Sequence, residues 1–205
     1  YRPPPTGGEL ALDVLGQRHQ LALGLVGKHA ALDACAALAA VIAAGAPVDQ
    51  ALRGLARARP AAMRGEVIEV AGRTLIVDCY NANPASMAAA LHALAERARV
   101  QGNDPGPPRI ALAVLGDMLE LGSHAREAHR EIGALARQLG LGVVAIGDHA
   151  ATVVAEAGGD AERADTPAGA AARALARTRP GDWILLKASR GMRLERVLDA
   201  IRQAT

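Results

Sequence analysis

Apolar residues recur along this chain in two rhythms, and the change falls near residue 65. Residues 9–15 and 19–26 alternate as two strands around Gly16-Gln17. Residues 28–44 form an alanine-rich helix stopped by Gly45, and residues 47–58 a second one with Pro47 at its first turn. From Gly65 onward short, wholly apolar runs alternate with amphipathic ones. Strands are predicted at 67–70 and 74–77 around Ala71-Gly72, then at 110–115, 143–146 and 183–186. Helices are predicted from Asn83-Pro84 to about Gln101, closed by Gly102, and at 123–139, 149–157, 167–178 and 192–204. Thr166 caps the fourth of these, Gly140 ends the second, and residues 103–108 form a polar loop.

Strands apolar throughout are buried on both faces, which indicates a mostly parallel sheet with helices on both sides. The fold class is therefore α/β and Rossmann-like over residues 66–205. Residues 1–65, with two strands and two helices, read as the tail of an upstream domain. In such sheets ligands bind beyond the carboxyl ends of the strands, so the loops after Val77, Leu115, Ile146 and Leu186 are the ones to inspect.

Composition narrows the function classes. Of the 205 residues 51% are hydrophobic but only 1% aromatic, so the core is built from Ala, Leu, Val and Ile. The net charge is +2 with Lys and Arg scattered among Asp and Glu, unlike the basic stripe of a nucleic-acid binder. The longest apolar run, 30–46, is interrupted by Asp33 and too short to span a membrane. Cys35 and Cys79 lie far apart with no metal-ligand spacing and are expected to be buried, reduced thiols of a cytoplasmic protein. The start at Tyr1-Arg2-Pro3-Pro4-Pro5, without Met, suggests a piece of a longer chain.

Three loops carry candidate chemistry. After Val77 come Asp78-Cys79-Tyr80-Asn81-Ala82-Asn83-Pro84, a carboxylate, a phenol and two amides crowded before a helix start. These groups suit ribose hydroxyls and base edges; Asn83 and Asp78 serve equally as a helix cap and a strand end. After Leu115, Asp117 and Glu120 stand between Gly116 and Gly122, as a cation or amine site or as a solvated turn. His129, on the next helix, reads as a surface or capping residue. After Leu186 come Lys187-Ala188-Ser189-Arg190, basic groups next to a helix start that favour a carboxylate or phosphate. The run Gly24-Leu25-Val26-Gly27-Lys28-His29 is no phosphate-binding loop, because Ala22 stands at the first glycine position and His29 replaces the magnesium-binding hydroxyl.

Taken together, the runs 78–87, 115–122 and 186–190 resemble the Mur ligases, and within them the type that adds D-alanyl-D-alanine to UDP-N-acetylmuramoyl-tripeptide. The resemblance rests on Tyr80-Asn81-Ala82-Asn83-Pro84 with Ser86-Met87 above all. It implies an ATP- and Mg²⁺-dependent amide-bond-forming ligase of peptidoglycan precursor synthesis, acting through an acyl phosphate. This chain would hold the end of the central ATP-binding domain (1–65) and the terminal domain (66–205), with the phosphate-binding loop and most Mg²⁺ ligands upstream. It would be inactive alone, and the enzyme is expected to be a cytoplasmic monomer. The resemblance further implies that Asp78 contacts the ATP ribose, that Asn81, Asn83 and Pro84 line the base side, and that Arg64 reaches the phosphates from the hinge. Lys187, Ser189 and Arg190 would face the incoming dipeptide, with Asp117 and Glu120 orienting that region.

Two departures stand beside the match. The family's His-Asn-x-x-Asn stretch appears as His29-Ala30-Ala31-Leu32-Asp33, without either asparagine. Ala188 replaces a glycine between Lys187 and Ser189, which would strain the loop if that position needs positive φ. These departures motivate the competing reading, a non-catalytic Rossmann-like binding module or degenerate ligase. A folylpolyglutamate synthetase fits the architecture but not the Tyr80–Pro84 run.

Overall fold

The computed structural model describes residues 8–25, 27–99 and 109–204. The chain start at Tyr1, Val26 of the second strand, the helix end at Gln101-Gly102, and the loop 103–108 lie outside these residues. Two compact units are present, Tyr1–Ala61 and Ala62–Thr205.

In the first unit, β1 (Gly8–Val14) and β2 (Gln17–Leu23) form an antiparallel hairpin with Val14 opposite Gln17. The turn is Leu15-Gly16, one residue earlier than the sequence suggested. Both residues have positive φ (53° and 81°), the geometry that matches strand twist in a two-residue hairpin, and Asp13 Oδ1 accepts from the Gly16 N–H. Helices α1 (Lys28–Ala43) and α2 (Val48–Ala56) complete the unit. Leu10 and Leu23 pack with Ala31 and Ala34 into a core of its own, against which Cys35 is half-buried.

In the second unit β3 (Glu66–Val70) and β4 (Arg73–Asp78) form another hairpin, turned at Ala71-Gly72 with φ of 52° and 72°. There follow α3 (Pro84–Arg99), β5 (Ala111–Leu115), α4 (Ala125–Leu139), β6 (Gly142–Ile146) and α5 (Ala150–Ala157). Then come β7 (Glu162–Ala164), α6 (Pro167–Ala176), β8 (Trp183–Lys187) and α7 (Glu195–Gln203). Among the described residues these strands make one six-stranded sheet in the order β3-β4-β8-β5-β6-β7, parallel except for β3. β8, last in sequence, thus inserts between β4 and β5.

Side chains alternate across the strands. Leu75, Val77, Leu112, Val114, Ile184 and Leu186 pack with Ala170, Ala174, Val197 and Ile201 of α6 and α7. The alternate strand positions, such as Ile76, Ala113 and Leu185, face α3, α4 and α5. Small residues let these helices approach. A Cβ on Gly133 of α4 would stand 2.5 Å from the Val153 carbonyl of α5.

Three expectations change. β7 escapes the sequence reading because Glu162-Arg163-Ala164 carries no apolar run. His129 is not at the surface but 1% exposed. Helices α4 and α7 begin later than expected, each preceded by a short 3₁₀ turn. No helix among the described residues is long and apolar enough to cross a membrane.

Candidate functional site

Parallel pairing aligns the carboxyl ends of three neighbouring strands. Asp78 of β4 registers with Lys187 of β8, and Lys187 with Leu115 of β5. The three loops singled out in the sequence therefore leave the sheet side by side.

Lys187 is 1% exposed, and its Nζ donates to Asp78 Oδ2 at 2.6 Å and to the Asn81 carbonyl at 3.2 Å. Two residues on, buried Ser189 joins the other two loops. Its hydroxyl donates to the Ala82 carbonyl (3.3 Å) and accepts from the Leu119 N–H (2.9 Å), while its own N–H donates to the Asp117 carbonyl. Ala188 between them is not among the residues with positive φ, so an alanine there meets no left-handed backbone strain. Its methyl group instead depends on Gly116, where a Cβ would lie 2.7 Å from that of Ala188.

Asp117 is 4% exposed and not a free carboxylate. Oδ2 accepts from the Asp148 N–H (2.7 Å) and Oδ1 from the His149 N–H (3.1 Å), tying the loop after β6 to the one after β5. Gly147 makes room for this, since a Cβ there would meet the Asp117 carboxylate at 2.5 Å. Beneath it, His129 Nε2 accepts from the Met118 N–H (2.9 Å) and Nδ1–H donates to the Ala125 carbonyl (2.6 Å). An Nε2 that accepts carries no proton, so the ring is neutral and its 3.7 Å approach to Asp117 Oδ1 is no ion pair. Burial, before any other cause, holds the His129 pKa below its ordinary value. Its ring stacks on that of His149 at 4.3 Å.

The remaining candidates sit nearer the surface. Arg64 lies over the Tyr80 ring, 3.8 Å from its centroid, and the Tyr80 N–H donates to the Met63 carbonyl. Arg190 Nη1 donates to Glu195 Oε1 at 2.8 Å and contacts Met63 Sδ. Glu195, at the first turn of α7, was not singled out in the sequence. An acidic residue five positions after Arg190, opening a helix, is the signal that was available.

Asn81 and Asn83 are exposed, but both amide oxygens are turned to backbone. Asn81 Oδ1 accepts from the Ala82 N–H, and Asn83 Oδ1 caps α3 through the Ser86 N–H, with the Ser86 hydroxyl accepting from the Asn83 N–H. Pro84 opens that helix. Glu120 is exposed with φ of 67° and has no partner among the described residues. Buried Cys79 lies beneath the edge, its thiol pushed up to about 11, chiefly by burial and then by Glu195 and Asp78. It is a protonated core residue rather than a nucleophile.

Chemically, the edge offers a partly exposed carboxylate whose inner oxygen is neutralised, two outward guanidinium groups, and an aromatic face. Such a set has the chemistry to bind a polar, anionic ligand. It contains no activated nucleophile. Among the described residues, no cluster of three or more His, Cys, Asp or Glu side chains could hold a metal.

The chain is similar to known proteins. A UDP-N-acetylmuramoyl-tripeptide--D-alanyl-D-alanine ligase of Mycobacterium tuberculosis (strain CDC 1551 / Oshkosh) is 38% identical over 89% of this chain and 39% of its own length. The enzyme of that name from Treponema pallidum (strain Nichols) is 35% identical over 93% of this chain and 40% of its own. The crystal structure of MurF ligase from Thermotoga maritima in complex with ADP superposes with a TM-score of 0.83 at 26% identity, covering 98% of this chain and 44% of that one. The chain spans about two fifths of the length of the curated relatives it matches. The family model described as "Mur ligase, glutamate ligase domain" matches residues 63–190, which run from Met63 through all three loops of the site, and this chain belongs to the Mur ligase family.

Proposed function

We propose that this chain is the terminal part of an ATP-dependent ligase that joins D-alanyl-D-alanine to UDP-N-acetylmuramoyl-tripeptide. The observation that carries the proposal is the convergence of the three family runs on one sheet edge, where Asp78, Lys187, Ser189 and Asp117 interlock. The names of the relatives supply the substrates.

A carboxylate resists attack until one oxygen becomes a good leaving group. In this reading the γ-phosphoryl of ATP passes to the tripeptide carboxylate, giving an acyl phosphate and ADP. The dipeptide amine then attacks the acyl carbon, the amide forms, and phosphate leaves with loss of one proton from the amine. Positioning and charge neutralisation carry most of such a reaction. Residues 66–205 would hold the nucleoside through Asp78 and the Asn81–Pro84 loop, with Arg64 reaching the phosphates. Arg190, exposed and steered by Glu195, is the residue suited to the dipeptide carboxylate, with Ser189 shaping the loop between. Asp117 would orient that region through backbone, and Glu120 by its charge at the rim. Mg²⁺ would neutralise phosphate charge. Residues 1–65 would close the central ATP-binding domain, and the whole enzyme would work as a cytoplasmic monomer.

In the full-length enzyme, phosphate release should require ATP, UDP-tripeptide and dipeptide together, and the isolated chain should show no turnover. Release independent of the dipeptide would overturn the reading.

A further inference from the structure

The resemblance alone places Lys187 beside the incoming dipeptide. Its surroundings point elsewhere. Lys187 and Asp78 are registered partners on adjacent parallel strands, so their side chains leave the sheet at the same level. Lys187 is 1% exposed, and its ammonium spends two of its three protons on Asp78 Oδ2 and the Asn81 carbonyl. Moving the ammonium outward to a mobile ligand would break both bonds. Asp78, by contrast, keeps 23% of its side chain exposed, and its Oδ1 has no partner among the described residues.

A carboxylate is free to rotate about its last torsion, so an isolated Asp78 would present its oxygens in many directions. With Oδ2 pinned on a buried ammonium at 2.6 Å, the other oxygen has one orientation. Lys187 also grips the carbonyl of Asn81, and Ser189 the carbonyl of Ala82, so β8 and the loop that follows it hold the loop after β4 in register with that oxygen. We propose that Lys187 is a positioning residue for the nucleoside side of the site: it fixes Asp78 Oδ1 as the acceptor for a vicinal diol, and it makes no contact with the dipeptide. The inference rests on the nucleoside reading of Asp78 given above.

The test uses the full-length ligase and the ratio of kcat/KM for ATP over 2′,3′-dideoxy-ATP, which isolates the diol contact. One hydrogen bond to a charged acceptor corresponds to about tenfold or more in that ratio for the wild type. Lys187→Met should bring the ratio close to one while the KM for D-alanyl-D-alanine stays within about twofold, a split that general damage to the fold would not produce. Lys187→Arg, which keeps the charge and guards against loss of folding, should lower the ratio by about threefold through a displaced Asp78, again with the dipeptide KM unchanged. An unchanged ATP ratio in the Lys187 variants with a raised dipeptide KM would overturn the inference. Asp78→Asn separates the two claims. If it leaves the ratio intact, the nucleoside reading itself fails; if it abolishes the ratio while both Lys187 variants keep it, only the role of Lys187 fails.

Discussion

At the amino edge of the six-stranded sheet, buried Asp182 accepts from the N–H groups of Ile110 and Arg179, each at 2.8 Å. At the carboxyl edge, buried Asp117 accepts from those of Asp148 and His149 at 2.7 and 3.1 Å. Each carboxylate brackets two loops by satisfying backbone donors that the strands cannot. The edges differ in what is left over. Around Asp182, Arg73 spends its guanidinium on Thr178 and the Ala71 and Leu175 carbonyls, and the Thr178 hydroxyl donates to the Ala174 carbonyl. Around Asp117, the bracket leaves Arg64, Arg190, Tyr80 and one oxygen of Asp78 facing outward. The same local chemistry satisfies the polar groups around Asp182 and leaves those around Asp117 facing solvent. A buried, satisfied carboxylate in an α/β sheet is therefore poor evidence of a site. The groups left facing outward around it are better evidence.

Asp182→Ala should break the amino edge most severely. It orphans two backbone donors at about 1–3 kcal/mol each, so a loss of about 3 kcal/mol is expected by denaturant unfolding. Turnover per folded enzyme should stay unchanged. At the carboxyl edge, Gly147→Ala combines a φ of 124° with a 2.5 Å clash against Asp117. It should cost about 2 kcal/mol and, unlike Asp182→Ala, lower kcat/KM as well.

Ser189→Ala sharpens the contrast. Losing the Leu119 donor's partner should cost about 1–2 kcal/mol, with a fall in kcat/KM larger than that in stability. Equal falls would make the residue a bracket only. Asn83→Ala removes a helix cap and should cost about 1 kcal/mol by thermal melting. An ATP KM raised more than the stability loss explains would assign Asn83 a ligand role beyond the cap.

The smallest effect concerns acid. His129 is held neutral, its pKa below the unfolded value of 6.5 by burial, so its contribution to stability is complete above that value. The contribution is lost as pH falls through the lowered pKa, because the unfolded chain takes up the proton first. Melting temperature should therefore decline as pH falls from 7 to 5, and His129→Gln should flatten that decline. An unchanged slope would move the acid limb to other groups.

Much of this protein was determined by the sequence alone. Wholly apolar strands between amphipathic helices required a parallel sheet covered on both faces, because such strands have no side to show to water. Thr166, Gly140 and Pro84 marked helix ends through backbone needs that are local. The Asp78–Met87 run marked one loop of the site for the same reason, since its residues are contiguous. Tertiary structure decided the rest. Apolar strands look alike to their neighbours in sequence, so nothing local says that β8 lies between β4 and β5. That insertion brings Lys187 to Asp78 across 109 positions of chain, turning two separately legible loops into one interlocked edge. It also decides which polar groups are spent and which are free. Burial of His129 and the bracketing role of Asp117 followed from packing against the loop after β6, and long-range packing leaves no trace in residue type or spacing.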